Sequence, residues 1–331
     1  MEGKRAMKQY GYGVDVGGTF IKFGLLDREG ALLDQWQIPT DASDEGIHLI
    51  PGVAGSLLAH MQSRGLTAAD LFGIGLGVPS PVDQDGWVVG GENTGWGHRR
   101  LDAAGELQTL MGVPVRVEND GNVAALGELW KGAGRGCRNL VMITLGTAVG
   151  GGILCNGAVV SGRHGAGGEI GSLMMTPDEP EIAVDGKGGC LEQYVSATGL
   201  VRKAKKVLAE DARSTVLRER TELTAKDILD AAKAGDAVAL EILEFFGEMM
   251  GRACSMISCV ADPEVFLIGG GVSKAGEILL DVIRKYYRRY AFFAFADTEF
   301  RLAELGNDAG IYGCCYLAMP EEMKGRVNTE R

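Results

Sequence analysis

The sequence predicts a mixed α/β protein of two similar lobes, and three observations carry that expectation. Its 331 residues exceed what one hydrophobic core usually serves. Apolar runs of strand length alternate with segments of helical period, the pattern of a mixed sheet with crossover helices. A hairpin with a glycine-rich turn occurs twice, at residues 10–35 and again from Asn139 in NLVMITLGTAVGGGILCNGAVV. An internal duplication into two lobes facing one another would produce that repeat.

The elements follow in order. YGYGVDVGGTFIKFGLLDREGALLDQWQIP alternates apolar and polar residues, with turns at Gly17-Gly18 and at Arg28-Glu29-Gly30, and reads as an antiparallel meander. A helix comes next, with apolar positions at Leu49, Val53, Leu57, Leu58 and Met61. LFGIGLGVPSPVD is a buried strand running into a Gly/Pro loop, and VPVRVENDGNVAALGELW is a strand, a loop and a helix. After the second meander the chain turns helical beyond Ser196, and DAVALEILEFFGEMMGRACSMISCVADP is one long core helix whose Met and Phe stripe is packing. PEVFLIGGGVSKAGEILLDVI gives a buried strand, a triple glycine and a helix, and EFRLAELGNDAGIYGCCYLAM gives the last strand and helix. The tail after Met319 reads as disordered.

Composition narrows the partners. A net charge of −11 without a basic run argues against nucleic acid and anionic membrane and favours a small diffusing ligand. The first residues lack a signal-peptide apolar stretch, and no run approaches the roughly 20 apolar residues of a membrane span, so a cytoplasmic protein is expected. Seven cysteines between Cys137 and Cys315, with no CxxC pair, fit reduced thiols. The 51 glycines cluster at strand ends, where loops let a ligand approach bare backbone.

Five stretches are candidates for chemistry. GVDVGGTFIK misses the P-loop pattern, since Thr19 stands where its lysine belongs, and it misses the Rossmann fingerprint at Val16. What remains is a hairpin turn with glycine N–H groups, the Thr19 hydroxyl and the Lys22 ammonium to cradle phosphate, and Asp15 to hold magnesium through water. A glycine turn with no ligand is the alternative. In RVENDGNVAALGE, Glu118, Asn119 and Asp120 end an apolar strand where open α/β sheets place their ligands; the alternative makes Asp120 or Asn122 the cap of the following helix. Glu169 in GAGGEIG and Glu192 in GCLEQY are either solvated surface or hydrogen-bonding partners of a polyhydroxylated ligand. The triple glycine of LIGGGV would let a flat ring or a phosphate lie against backbone at a helix start.

Asp15-x-Gly17-Gly18-Thr19, Gly75-x-Gly77-x-Pro79, Glu118-Asn119-Asp120, LGTAVGGGI, GAGGEIG, GCLEQY and LIGGGV occur together, in order, between about Tyr10 and Met319. In this the chain resembles the ROK family of sugar kinases and repressors, and GCLEQYVSATGL is most similar to its glucokinase branch. The resemblance implies an actin-like, ribonuclease-H-like fold of two lobes with ATP and sugar meeting in the cleft. It places residues 1–122 with 308–331 in a small lobe and 123–307 in a large one. It implies ATP-dependent phosphorylation of glucose at the 6-hydroxyl, with Asp120 as catalytic base. Gly77, Asn93, Asn119, Asp120, Glu169 and Glu192 would meet the sugar. Asp15, Gly17, Gly18, Thr19, Lys22, Gly146 and Thr147 would meet the phosphates and Mg2+, and Gly270 and Gly271 the adenosine.

The chain departs from the family at its zinc site. Many members carry a histidine and three cysteines there; the corresponding positions here are Ser172, Ala183, Asp185 and Cys190. One thiol cannot make a closed site, so no structural zinc is expected, and the loop before Glu192 must be held by hydrogen bonds and packing. Ser172 also replaces a histidine that resembles a sugar contact. Two rival readings follow from the same family. One is a kinase for mannose, fructose, allose, N-acetylglucosamine or N-acetylmannosamine. The other is a sugar-responsive repressor, which needs a helix-turn-helix that the nine residues before Tyr10 do not provide. A homodimer is the expected assembly on general grounds.

Overall fold

The computed structural model describes residues 8–91, 94–182, 186 and 188–327; Asn93, Ala183 and Asp185 lie outside them. In chain order the elements are β1 (Tyr10–Val16), β2 (Phe20–Asp27), β3 (Leu32–Pro39), α1 (Leu49–Arg64), β4 (Leu71–Val78), β5 (Val88–Gly91), β6 (Gly97–Leu101), α2 (Ala103–Met111), β7 (Val115–Asn119) and α3 (Asp120–Lys131). There follow β8 (Leu140–Leu145), β9 (Val149–Cys155), β10 (Ala158–Val159), α4 (Glu192–Val195), α5 (Ala197–Glu210), α6 (Ala225–Lys233), α7 (Ala237–Ala261), β11 (Val265–Gly269), α8 (Glu277–Tyr290), β12 (Glu299–Leu302), α9 (Ala309–Ala318) and α10 (Glu321–Val327). They form two compact units. The first takes the chain up to Gly136, Ala158–Gly167, and everything from Asn307; the second takes Cys137–Gly157 and Gly168–Gly306.

The sheet of the first unit has the order β3-β2-β1-β4-β7. β1–β2 and β2–β3 are antiparallel, as the meander predicts, while β4 and β7 add in parallel. One face carries Tyr12, Val14, Phe23, Ile74 and Leu76, all buried against α1 and α2. On that face Trp36 stacks between Phe23 and His60, and Tyr12 Oη lies 2.8 Å from His60 Nδ1. In α1 the buried positions are Leu49, Ile50, Val53, Ala54, Leu57 and Met61; Leu58, expected with them, is exposed because it lies about 100° round the helix from Leu57.

The opposite face is bare, and a helix lies directly on it. Gly24, Gly13 and Gly75 form a row across β2, β1 and β4. A Cβ at Gly13 would sit 2.0 Å from the Ile311 carbonyl oxygen, and one at Gly75 would sit 1.7 Å from that of Cys314. Backbone therefore touches backbone between the sheet and α9. The same helix meets α3 in the same way: a Cβ at Gly127 would lie 2.1 Å from Ala309 O, and one at Gly313 would lie 1.6 Å from Val123 O. This contact keeps α3 whole within the first unit, so the chain leaves it after Gly136 instead of at the expected 122/123 boundary. The tail past Met319 differs from expectation too. It continues into α10, whose first turn hydrogen-bonds to Pro320 O, with the Lys324 ammonium over the Tyr316 ring.

The second unit repeats the pattern in β9-β8-β11-β12, an antiparallel hairpin extended by two parallel strands. That correspondence is the duplicated unit seen in the sequence. Its core is built on α7, the long helix expected, capped by Asp236 and burying Val238, Ile242, Phe246, Met250, Ala253 and Ile257 along one stripe. Each of these side chains except Ala253 contributes roughly 2 kcal/mol on burial.

The bare-backbone contacts give a direct test. Gly75→Ala should cost at least about 3 kcal/mol in urea unfolding, because neither backbone can yield without moving α9. Gly55→Ala, on the exposed side of α1 with open space at its Cα, should stabilise by up to about 1 kcal/mol. Equal effects of the two substitutions would rule out backbone contact as the reason for the glycine.

Candidate active site

In the first unit the site is set by strand register. Lys22, Asp15, Gly77 and Glu118 stand in one row, since Asp15 pairs with Lys22 and Gly77, and Gly77 with Glu118. Residues in one row share a face, so three charged side chains and one bare position are brought together. Packing requires the glycine, as a Cβ at Gly77 would lie 2.9 Å from both Cys314 Sγ and Val123 Cγ2. Asp15 rests on Gly310 of α9, where a Cβ would approach its carboxyl carbon to 2.7 Å. Lys22 Nζ lies 3.9 Å from Asp15 Oδ2 and donates to Asn307 O at 3.2 Å.

Burial pushes the Asp15 carboxyl up to about 6; Lys22 pulls it down and the Asp120 charge raises it further. The charge of Asp120, 105 positions away in sequence, therefore reaches Asp15. A carboxylate beside a single cation and a second carboxylate is an oxygen donor suited to a hard divalent ion, and Asp15 fits the expected role of holding Mg2+ through water.

The hairpin turn between β1 and β2 is pinned by its own bonds. Gly17 N–H donates to Phe20 O, Thr40 N–H to Thr19 O, and the Thr40 hydroxyl to Gly17 O at 2.6 Å. The Gly17 N–H is thus spent inside the turn, and Gly18 and Thr19 form its exposed tip.

At the end of β7 three adjacent polar residues take three different roles. Asn119 is the cap of α3, accepting at Oδ1 from the N–H groups of Gly121 and Asn122; the cap is neither Asp120 nor Asn122, the two positions the sequence offered. Its Nδ2 donates to Asp120 Oδ1 at 3.1 Å and to Ser80 O. Asp120, the first residue of α3, remains exposed. Crowding by the surrounding protein raises its carboxyl above the ordinary range, opposed by the Gly121 N–H and the Asn119 amide. Glu118 is buried, its carboxylate bonded to Asn119 N–H, Asn122 Nδ2 and Ser161 Oγ.

In the second unit Gly146 and Thr147 occupy the β8–β9 turn, which helices brace from behind. Ala197 N–H donates to Gly146 O, the Thr198 hydroxyl to Thr147 O, and Val149 N–H to Glu192 Oε2 at 2.9 Å. Sequence reasoning missed this bracing, although the Ser196-Ala197-Thr198 helix start, with Ser196 as cap, was its visible trace. Glu192 is half-buried and serves the turn with one oxygen; Glu169 is exposed, just before the short helical turn Ile170–Ser172. Gly270 has φ +83 and lies against the end of β8, where a Cβ would come 2.5 Å from Leu145 O, so only glycine fits. Gly271 beside it is open.

Cys190 is buried and bridges to Met174, with Leu191 N–H donating to Leu173 O. Gln193 fastens the loop from below, accepting from Gly189 N–H and donating to Glu181 O, both at 2.6 Å. Among the described residues no group of three or more His, Cys, Asp or Glu side chains is placed to hold a metal ion. No helix among them is long and apolar enough to cross a membrane.

The ROK family model matches residues 11–321. The chain belongs to the ROK family. It is 42% identical over 315 residues to a glucokinase of Halalkalibacterium halodurans, covering 94% of this chain and 95% of that one. It is 29% identical to an N-acetyl-D-glucosamine kinase of Vibrio vulnificus, covering 92% and 98%. Among solved structures it is similar to a ROK family glucokinase from Streptomyces griseus in complex with glucose and AMPPNP, at 33% identity and a TM-score of 0.72 over 93% of this chain and 98% of that one. Its fold is accordingly the actin-like α/β fold of ROK sugar kinases, and its activity is that of an ATP-dependent sugar kinase.

Asp15 makes the ROK site costly to the free protein. Its carboxyl is raised from 3.8 to about 6, so between these values the folded chain binds more protons than the unfolded chain. Its contribution to stability therefore falls as pH rises from about 4 to 6 and is flat above. Ionised Asp15 costs about 1–3 kcal/mol at neutral pH. Asp15→Asn should raise the unfolding midpoint at pH 7.5 and lose that advantage by pH 4, followed by thermal melts. A destabilised variant at pH 7.5 would refute burial of the charge as the cause.

Proposed function

We propose that this ROK kinase transfers the γ-phosphoryl group of ATP to the 6-hydroxyl of glucose, with Asp120 as the base. The observation that carries the proposal is the Asp120 carboxylate itself: exposed at the end of a parallel strand, oriented by Asn119 Nδ2 and raised in proton affinity. A carboxylate so held accepts the hydroxyl proton as the oxygen attacks in line. Gly121 N–H and Asn119 steady it without donating enough to quench it.

The other roles follow the chemistry of each position. Asn119, Glu169 and Glu192, with the Gly77 strand end and Asn93, hold sugar hydroxyls. Gly18 and Thr19 at the first turn, the Lys22 ammonium, and Thr147 at the second meet the phosphates; Gly17 and Gly146, whose N–H groups close their own turns, keep the backbone bare there, and Gly270 and Gly271 do the same for the adenosine. Asp15 would hold Mg2+, which when bound neutralises charge on the β- and γ-phosphates. Most of the rate comes from positioning, because the transferred group needs little covalent help.

The assignment of glucose rests on the 42% identity to a glucokinase and on the glucose-bound relative. A second reading, an N-acetylhexosamine kinase, is favoured by the 29% relative. We further read the chain as a homodimer without structural zinc, which light scattering and metal analysis of chelator-free protein check.

Turnover is tested by coupled ADP release over a panel of hexoses and N-acetylhexosamines with ATP and Mg2+. Glucose should give the highest kcat/KM, and Asp120→Asn should lower kcat at least about 10²-fold while sugar affinity changes little. A panel led by an N-acetylated sugar moves the protein to the second reading. Substantial kcat in Asp120→Asn removes the base from Asp120.

A further inference from the structure

Three features of the first unit converge on Glu118. The residue is 8% exposed, and its carboxylate accepts three hydrogen bonds: from Asn119 N–H at 2.9 Å, from Asn122 Nδ2 at 3.1 Å and from Ser161 Oγ at 3.0 Å. Each donor belongs to a different part of the site. Asn119 caps α3 and holds Asp120 Oδ1; Asn122 lies in the first turn of α3; Ser161 lies in the segment Ala158–Gly167, beyond which the chain reaches Glu169 after two residues. None of the three is a substrate group, and a buried carboxylate so occupied is not a second base.

The dependence is strongest at Asn122. Its side chain is fully buried, its Oδ1 has no hydrogen-bond partner among the described residues, and its Nδ2 donates to Glu118. Without the Glu118 acceptor the whole amide would be unsatisfied in the interior, so the first turn of α3 would have to shift to expose it. Asp120 sits at the start of that turn. The segment around Ser161 is held to the first unit elsewhere by Gln84 N–H to Arg163 O at 3.4 Å and by Gly165, whose Cα abuts the Val82 backbone. Glu118 supplies its link to the strand that carries the base.

We infer that Glu118 is a positioning residue for phosphoryl transfer: through Asn122 and Asn119 it fixes the angle of the Asp120 carboxylate, and through Ser161 it fastens the segment that leads to Glu169. The inference rests on the reading of Asp120 as base. A hydroxyl in line with the phosphoryl group tolerates little misplacement of its acceptor, so a loosened α3 start lowers the rate more than the affinity for either substrate.

The test compares Glu118→Ala, Glu118→Gln, Ser161→Ala and Asp120→Asn by ADP release with glucose and ATP, with circular dichroism for folding. Glu118→Ala should lower kcat about 10- to 100-fold, with KM for ATP within about 2-fold of the parent. Glu118→Gln keeps Oε1 for Asn119 and Asn122 and offers an N–H that the Ser161 oxygen accepts, so it should recover at least about tenfold of that loss. Ser161→Ala, the mildest change, should raise KM for sugar with a smaller fall in kcat. A Glu118→Ala protein with parental kcat, or one in which kcat and both KM values worsen in proportion to lost fold, overturns the inference. So does Glu118→Gln as poor as Glu118→Ala, which would make the charge, not the geometry, the working part. If Glu118→Ala does not fold, parental kinetics in both Ser161→Ala and Glu118→Gln overturn it. Turnover surviving in Asp120→Asn defeats the base assignment instead, a result the Glu118 variants cannot mimic.

Discussion

The contact of α9 with bare backbone is the constraint on which the first unit depends. Gly13 and Gly75 on the sheet, and Gly127 on α3, each meet a carbonyl oxygen of α9 at a distance that excludes a side chain. A helix seated this closely fixes both its partners at once. β1 carries Asp15, α3 begins at Asp120, and Gly310 of α9 lies directly under the Asp15 carboxyl. The spacing of the two carboxylates is therefore set by backbone packing, which cannot relax by changing rotamers, instead of by flexible side-chain contacts.

That rigidity permits an electrostatic arrangement that would otherwise disperse. Asp15, partly buried, stands near a second acid with one lysine to offset them, and its carboxyl titrates near 6. Two carboxylates free to move would separate or admit more water. Held in place, they give an anionic spot on the strand that leads into a turn with an exposed tip, Gly18-Thr19. The loss in stability is a local one, offset by the apolar packing on the opposite face of the sheet.

The sequence made the architecture legible because the architecture is carried by patterns of short range. The hairpin with its glycine turn repeats, the period of α7 runs through 25 residues, and strand ends are marked by Gly and Pro. The polar cluster at the end of β7 was visible for the same reason, since polar residues interrupt an apolar strand there. What stayed hidden depends on contacts distant in sequence. Nothing near Gly75 announces the Cys314 carbonyl 239 positions away, so the sequence shows a glycine within a buried strand without the reason for it. The roles within Glu118-Asn119-Asp120 were likewise undetermined, because each residue type serves as cap, strut or base. Three-dimensional partners single out Asn119 as the cap and Glu118 as the strut. Leu58 and the helix Glu321–Val327 show the complement, where the helix turn or the Tyr316 ring overrides the local pattern.

The three residues at the end of β7 also show how one peptide segment can separate orientation from reactivity. A carboxylate that is to take a proton must keep a lone pair unspent, so it cannot itself be the group that anchors the loop. Asp120 stands at the first position of α3, where the helix dipole favours the anion and the Gly121 N–H lies 2.8 Å away. Both effects would weaken it as a base. Crowding outweighs them and leaves its proton affinity above the ordinary carboxylate. The anchoring falls instead to Glu118, two residues earlier and on the buried side of the strand, with Asn119 between them capping the helix and steering the acid. Strand alternation puts Glu118 and Asn119 on opposite faces, and the turn into α3 swings Asp120 outward. Three adjacent side chains thus point three ways, and the strand-to-helix junction leaves the third the most open to solvent, which is why the proposed chemistry falls to it.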